Sequence, residues 1–430
     1  MRWLALVLFA GLPLQWFGLG SSPVGVVRLH QVVIFGFAAV LFCCYRMRAH
    51  APVLRTASWF VVGNLYLLGT WAIMDVYNGN APIGGLQQLM YLVAFVLLGT
   101  YFFRVAADPD HEAVAVLRWA APVTCLSLLV AFSVAMAANG VHALEAFGTS
   151  VGTVDPQVVQ LDVFRASFSG FGLDEARVHG TFRHEIFASV LFSMLVSTWA
   201  IRSGDPATRL ERTAYRVSMV TGTVLIVVSL SRSLLIAAVM WPLIALVGAL
   251  ASRRLTRTHI VAVSAAALGF ATLLLSGWGA VLWSRITEET TSYEARATNY
   301  AEAVKALPDH WLTGGFQTAG LDVSTHNFVL DSWLRGGIFT GIAAGVILLL
   351  LVVLWVRLII SLPRQPALML PVTVAVALPV VRMVTAGGGL IPPVEWVVLA
   401  FVFGVLAARA RPTADRPTTA VPVTHSAAAS

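Results

Sequence analysis

"HNFVLDSWLRGGIFTGIAAGVILLLLVVLWVRLII", residues 326–360, decides how the chain is read. From Gly336 onward it is an apolar run whose first charge is Arg357. An uninterrupted run of that length, roughly 20 residues or more, is long enough to cross the hydrocarbon of a bilayer as a helix. Similar runs recur from end to end. Of the 430 residues, 58% are hydrophobic and 11% charged, with mean hydropathy +0.81. A soluble domain carries about a quarter charged residues. The composition therefore excludes a soluble enzyme and implies an all-α polytopic membrane bundle.

Windows of about 19 residues place roughly twelve spans. They fall near 3–20, 25–44, 57–76, 84–103, 115–137, 185–202, 214–230, 233–251, 259–283, 336–361, 366–386 and 392–409. The organisation that follows is N-terminal spans (1–137), a first long loop (138–184), central spans (185–283), a second long loop (284–335), C-terminal spans (336–409) and a low-complexity, disordered tail (410–430). Residues 1–20 lack a small-residue cleavage site and are read as the first span rather than a removed signal peptide.

The formal charge of +7 comes almost entirely from arginine, since Lys305 is the single lysine. The arginines cluster in alternate short loops: Arg46, Arg48 and Arg55; Arg202, Arg209, Arg212 and Arg216; Arg253, Arg254 and Arg257; Arg357 and Arg364; and Arg409, Arg411 and Arg416. The positive-inside rule then puts both termini in the cytoplasm and both long loops outside. Topology accounts for the basic balance, so no nucleic-acid partner is implied. Cys43, Cys44 and Cys125 form neither a metal-ligand spacing nor a disulfide framework.

Polar residues of interest gather on the outer side. His326 stands where the second long loop enters a span, with Ser324 or Thr325 as candidate helix caps. In helical register it lies at i, i+4 and i+7/i+8 with Leu330 and Trp333–Leu334, facing the bundle. An imidazole there can accept a proton at neutral pH. Equally, it can be an interfacial histidine satisfied by a backbone carbonyl. Arg232, in "SLSRSLLIAAVM" (229–240), lies between two spans at an outward junction where arginine is not expected. Arg296 lies in "TSYEARATNYAEAVKALPDHWLTGGF" (291–316), where Tyr293, Arg296 and Tyr300 share one face with Ala303, Val304 and Leu307. This is the pattern of an amphipathic interfacial helix ended by Pro308 and a Gly314–Gly315 turn. Arg177, His179, Arg183 and His184 cluster before the sixth span. Together these residues outline a basic, outward-facing cavity suited to an anionic headgroup, above all a pyrophosphate, which arginine binds through its planar fork.

Other chemistries lack their residues. There is no Walker loop, HExxH or suitably placed GxSxG. The outer acidic residues form no DxD pair, so no bound metal and no cofactor is expected. Intramembrane acids that a proton-coupled transporter would use are scarce, with Asp75 and Glu395 at outer span ends.

Residues 175–345 resemble the O-antigen ligase and O-antigen polymerase superfamily of bacterial glycan assembly. The resemblance is carried by "SLSRSLL" at Arg232, by "EARATNYAEAVKALPDHWLTGGFQTAG", by "HNFVLDSWLRGGIFTG" and by "RVHGTFRHEIFASV". The chain departs in reading Gly-Gly-Phe for Gly-x-Gly, and His184–Glu185 for an Asn-rich pair. The resemblance implies a GT-C-like fold in the bacterial inner membrane and a metal-independent glycosyltransferase. It implies a polyprenyl-pyrophosphate-linked glycan as donor and a glycan, lipid or protein hydroxyl as acceptor. His326 becomes the general base, Arg232, Arg296, Arg177 and Arg183 the pyrophosphate contacts, and Asn327, Tyr293, Tyr300 and His179 supporting residues. Ligase and polymerase share these motifs. The alternative from another class is a transporter or flippase of lipid-linked oligosaccharide, which also needs an arginine-lined cavity.

Overall fold

The computed structural model describes residues 2–15, 18–22, 25–107, 111–139, 181–203, 205–228, 231–251, 290–315, 327–364, 366–385 and 390–410. In chain order the elements are α1 (Arg2–Gly11), the strands β1 (Gly18–Ser22) and β2 (Gly25–Arg28), α2 (Leu29–Cys44), α3 (Ala51–Thr56), α4 (Ser58–Tyr77), α5 (Ile83–Ala107), α6 (His111–Arg118), α7 (Ala120–Asn139), α8 (Thr181–Ser203), α9 (Arg209–Val228), α10 (Arg232–Ala251), α11 (Thr290–Ala306), α12 (Phe328–Ser361), α13 (Pro366–Thr385) and α14 (Pro393–Arg409). Among the described residues, seven helical stretches are long and apolar enough to cross a membrane. The chain is thus a helical membrane bundle.

The differences from the twelve expected spans have local causes. The first span stops at Gly11, because Pro13 removes a helix donor and the glycine-rich stretch beyond it does not favour helix. An antiparallel hairpin pairing Gly18 with Arg28 and Ser22 with Gly25 takes the place of the missing turns. The second span is a 16-residue apolar helix. The seventh, α9, is 20 residues long but carries Arg209, Glu211, Arg212 and Arg216 in its first half. The ninth, 259–283, lies outside the described residues, as do 140–180 and the tail beyond 410.

The centre of the bundle is α14. It is only 17 residues long, about 26 Å at 1.5 Å per residue, yet Val394–Val405 is buried throughout. A helix apolar on every side has no face that prefers water. It packs along α5. Gly404 permits the approach, since a Cβ there would come within 2.5 Å of the Gly99 carbonyl oxygen and 2.8 Å of Phe102. Small residues at such crossings let helix backbones approach closely. Around this seam Phe60, Phe95, Trp396 and Phe403 stack at centroid separations of 5.2–6.0 Å. Trp396 Nε1 donates to Gln88 Oε1 at 2.9 Å, and Gln88 Nε2 to the Ile391 carbonyl at 3.1 Å, so α5 also holds the segment leading into α14.

Contacts at the two ends join loops that the arginine pattern assigns to the same side. At one end Asn78, after α4, binds Thr313, and Gln88 binds Ile391. At the other, His50 Nδ1 lies 2.8 Å from the Thr100 hydroxyl, and Arg118 of α6 meets Glu211 of α9 at 3.1 Å and the Asp205 carbonyl at 2.5 Å. Thr208 and Glu211 form a reciprocal capping box. The Thr208 amide donates to Glu211 Oε2 at 2.7 Å, and the Glu211 amide to the Thr208 hydroxyl at 3.2 Å.

Burial alone would raise the Glu211 pKa. The bonds from Thr208 and the Arg118 guanidinium outweigh it and hold the carboxyl below its ordinary 4.5. A depressed carboxyl stabilises the fold above the unfolded-state value, and that contribution is lost as pH falls through the lower folded-state value. The melting temperature of the purified protein should therefore fall on acidification below about pH 4.5. Glu211→Gln, which cannot ionise, should show a flatter acid limb; equal slopes would deny the pair its role.

Candidate functional site

The helix that opens the second long loop is present as expected. It runs Thr290–Ala306, is followed by turns through Thr313, and ends on Gly314 and Gly315 with φ of +66° and +83°. Its buried contact is specific: Ala303 packs with Leu330 and Leu334 of α12, and Ala306 and Leu307 lean on the same cluster. Val304 and Tyr300, placed on the same stripe by the sequence pattern, are each 48% exposed. The covered face is therefore narrower than the sequence stripe.

The start of α12 also differs from expectation. The cap is Asn327 rather than Ser324 or Thr325. Its Oδ1 accepts from the backbone amides of Val329 at 3.0 Å and Leu330 at 3.1 Å. Asn327 is extended, with φ −124° and ψ 120°, so helical register begins at Phe328. His326, on the far side of this cap, lies outside the described residues. Asparagine suits this position because its short acceptor satisfies two amides that the first helical turn leaves open.

Ten residues into α12 the backbone breaks. Gly337 has φ +76° and ψ −175°, a region essentially confined to glycine, and the helix kinks there. The 307–315 turn fills the break. The Ile338 amide donates to the Trp311 carbonyl at 2.9 Å, and the Gly315 amide to the Arg335 carbonyl at 3.0 Å. Trp333 Nε1 donates to the same Trp311 carbonyl at 3.0 Å, and the two indole rings lie 4.6 Å apart. Asn78 Nδ2 ties the assembly to α4 through the Thr313 carbonyl at 3.0 Å. Arg335 sits over the Trp71 ring at 5.4 Å and acts electrostatically on Asp75. Thr340 Oγ1 lies 2.7 Å from the Gly336 carbonyl and 3.0 Å from the Thr70 hydroxyl, fastening the far side of the kink.

Of the sequence-predicted site residues, Asn327 and Tyr300 are described. Arg232 is the first residue of α10, four positions after Val228, the last residue of α9, so the two helices follow each other closely in the chain, as read. Position 296 is in α11, two helical turns before Ala303, and position 293 precedes it on the same helix. Position 183 falls in the first turn of α8, which begins at Thr181, inside the expected first loop. The side chains of Arg232, Arg296, Tyr293, Arg183 and His184 lie outside the description. His326, Arg177 and His179 lie outside the described residues altogether.

Sequence reasoning gave no role in a site to the buried charges Asp331, Arg382 and Glu395. Asp331, within the quoted stretch, is 5% exposed in the first turn of α12, where a carboxylate is favoured by the helix dipole. Arg382 of α13 and Glu395 of α14 are 2% and 0% exposed and interact electrostatically. The signal for Arg382 was an arginine inside the apolar run "LPVVRMVT", costly in a membrane unless partnered. Among the described residues no group of three or more His, Cys, Asp or Glu side chains is placed to hold a metal ion.

Comparison with protein-family models and with curated proteins gave no match.

A Cβ at residue 337 would run into the Leu312 carbonyl. Gly337→Ala should therefore lower the melting temperature by roughly 2–6 °C, because the left-handed strain and the clash together cost about 2–6 kcal/mol. Gly345→Ala on the same helix, where the nearest atom would be Val329 Cγ1 at 3.9 Å, should leave it within about 1 °C, because that contact is ordinary. Equal effects would mean that the kink is not held as described.

Proposed function

We propose that the protein is a membrane glycosyltransferase that moves a glycan from a polyprenyl-pyrophosphate donor to an acceptor hydroxyl, as in O-antigen ligases or polymerases. The observation that supports it most is the packing of Ala303 on Leu330 and Leu334. It brings the helix carrying Arg296 against the helix that starts directly after His326 and Asn327. These are two of the segments whose sequences resemble that superfamily. The contacts Asn78–Thr313 and Gln88–Ile391 agree with this reading, since they join segments that the arginine pattern puts on the outer side.

The chemistry asked of such a site is modest. His326 takes the proton of the acceptor hydroxyl. The acceptor oxygen bonds to the anomeric carbon as the bond from that carbon to the phosphate oxygen breaks. The electron pair leaves on polyprenyl pyrophosphate, whose charge Arg232 and Arg296 neutralise, with Arg177 or Arg183 as further contacts. Pyrophosphate is a good leaving group once neutralised, so positioning, positive charge and one base suffice. No nucleotide and no metal is called for.

The test is transfer in proteoliposomes containing a native lipid-linked glycan, with the product read by mass spectrometry. His326→Ala should reduce transfer by about 10²–10⁴-fold while donor binding persists. A flippase would keep its transport without this imidazole, so undiminished turnover ends the base assignment. Arg296→Lys should restore only part of the donor affinity lost in Arg296→Ala, because an ammonium cannot make a forked contact. In a variant lacking Cys43, Cys44 and Cys125, a cysteine placed at position 309 should react with an impermeant maleimide from outside the cell, and one at position 209 should not. The reverse pattern would turn the topology over.

A further inference from the structure

The turn that braces the kink also borders a recess of about 620 Å³, largely open to the outside and lined by Pro308, Asp309, Trp311, Leu312 and Thr313. Sites for small molecules commonly measure roughly 300–1,000 Å³. We propose that this recess is a subsite for an uncharged sugar ring of the glycan substrate, with the Trp311 indole as its floor. The proposal rests on the glycosyltransferase reading and names the substrate chemistry that the same end of the bundle would recognise.

The indole is exposed but held in place. Trp311 is 44% exposed, yet its carbonyl accepts from both Trp333 Nε1 and the Ile338 amide. Its ring rests against Trp333 at 4.6 Å with an interplanar angle of 57°. The bonds fix the backbone that carries the indole and the ring has a packing partner in Trp333, which lowers the ordering cost of a contact. The face of an indole is electron-rich. A pyranose offers one face of polarised C–H bonds that fits it, as aromatic edges do. The same sugar carries hydroxyls around its rim, and the lining supplies groups for them. The Asp309 carboxylate is an acceptor only, and the Thr313 hydroxyl donates or accepts. A flat apolar floor beside a carboxylate suits a ring that is apolar on its face and polar at its edge. The carboxylate also sets a preference against a uronic acid, whose negative charge would face Asp309.

The position fits a glycan running toward the start of α12. Trp333, which holds the indole, is six residues beyond Asn327 in the helix, about 9 Å along its axis. A sugar one or two units from the reacting one would lie over Trp311. The competing occupant is the lipid headgroup region, where tryptophans are common anchors. Leu312, 61% exposed, would suit it, whereas the neighbouring carboxylate would not be favoured against an anionic leaflet.

The experiment uses the full chain in nanodiscs of phosphatidylethanolamine and phosphatidylglycerol. Lipid-free trisaccharides of glucose, galactose, mannose and N-acetylglucosamine, and their uronic-acid counterparts, are titrated and followed by saturation-transfer NMR. At least one neutral trisaccharide should bind saturably. Trp311→Ala should weaken it about tenfold or more and Trp311→Phe far less, since a ring is retained. Asp309→Asn should admit the uronic-acid analogue. No saturable binding, equal binding in Trp311→Ala, or quenching of Trp311 fluorescence by brominated lipid (measured as the difference from Trp311→Phe) would overturn the proposal. Binding needs no turnover, so the two readings fail separately. If His326→Ala leaves transfer intact while sugar binding still depends on Trp311, the transferase falls and the subsite stands. If transfer needs His326 but sugar binding ignores Trp311, the reverse holds.

Discussion

The kink at Gly337 is the constraint on which this end of the molecule depends. Breaking a helix near a membrane boundary strands amides and carbonyls where water is scarce, and each unsatisfied group is costly. Here the stranded groups find partners in the 307–315 turn: the Ile338 amide meets the Trp311 carbonyl, and the Arg335 carbonyl meets the Gly315 amide. The bond pattern needs glycine at both edges. Gly337 adopts a backbone that side chains rarely allow, and Gly314 and Gly315 turn the loop back within contact of Arg335 and Asn78. A break in one element is thus the docking site of another.

That exchange explains why a loop far away in sequence is rigid where it needs to be. Asn78 caps the end of α4 through the Met74 carbonyl at 2.8 Å and reaches Thr313 with the same amide nitrogen. Trp71, Asp75 and Arg335 add a charged contact at the same level. The turn is therefore braced against two spans, α4 and α12, which themselves pack together. The opposite end is fastened differently, by a capped helix start and a buried ion pair between Arg118 and Glu211. A buried pair contributes little net stability, but removing one member leaves a charge uncompensated. Such a pair selects which loops meet more than it strengthens their meeting.

Much of this was legible in the sequence. Hydropathy located the helices because no other backbone form satisfies itself in lipid. Helix α11 was readable from its periodicity and from Pro308 and the glycine pair that end it. What failed was in part local, where hydropathy does not weigh a helix breaker, and in part whatever depends on a partner distant in the chain. The first span reads as 18 apolar residues, yet hydropathy counts apolarity and does not weigh Pro13 or the glycines that cut it at Gly11. Ser324 and Thr325 are sound caps by residue type, but the helix starts at Phe328, and it is Asn327 whose Oδ1 reaches the Val329 and Leu330 amides. The stripe through Val304 looked as apolar as that through Ala303, and only the neighbouring α12 decides which is covered. Glu395 read as an acid at a span end, and its electrostatic partner Arg382 comes into view only when α13 and α14 are seen side by side.

The arrangement carries a consequence for how chemistry at this end would be tuned. Asn327 Oδ1 accepts from the amides of the turn it caps, and the Trp311 carbonyl accepts from Trp333 and from Ile338. A turn bonded on both sides presents a set surface. That surface carries an exposed indole and a carboxylate, able to read a ligand's shape. The capped helix start adjoins the histidine that the proposed chemistry needs as a base. Recognition on the braced turn and proton transfer next to the capped helix start would then be neighbouring tasks, joined through the contact of Trp311 with Trp333.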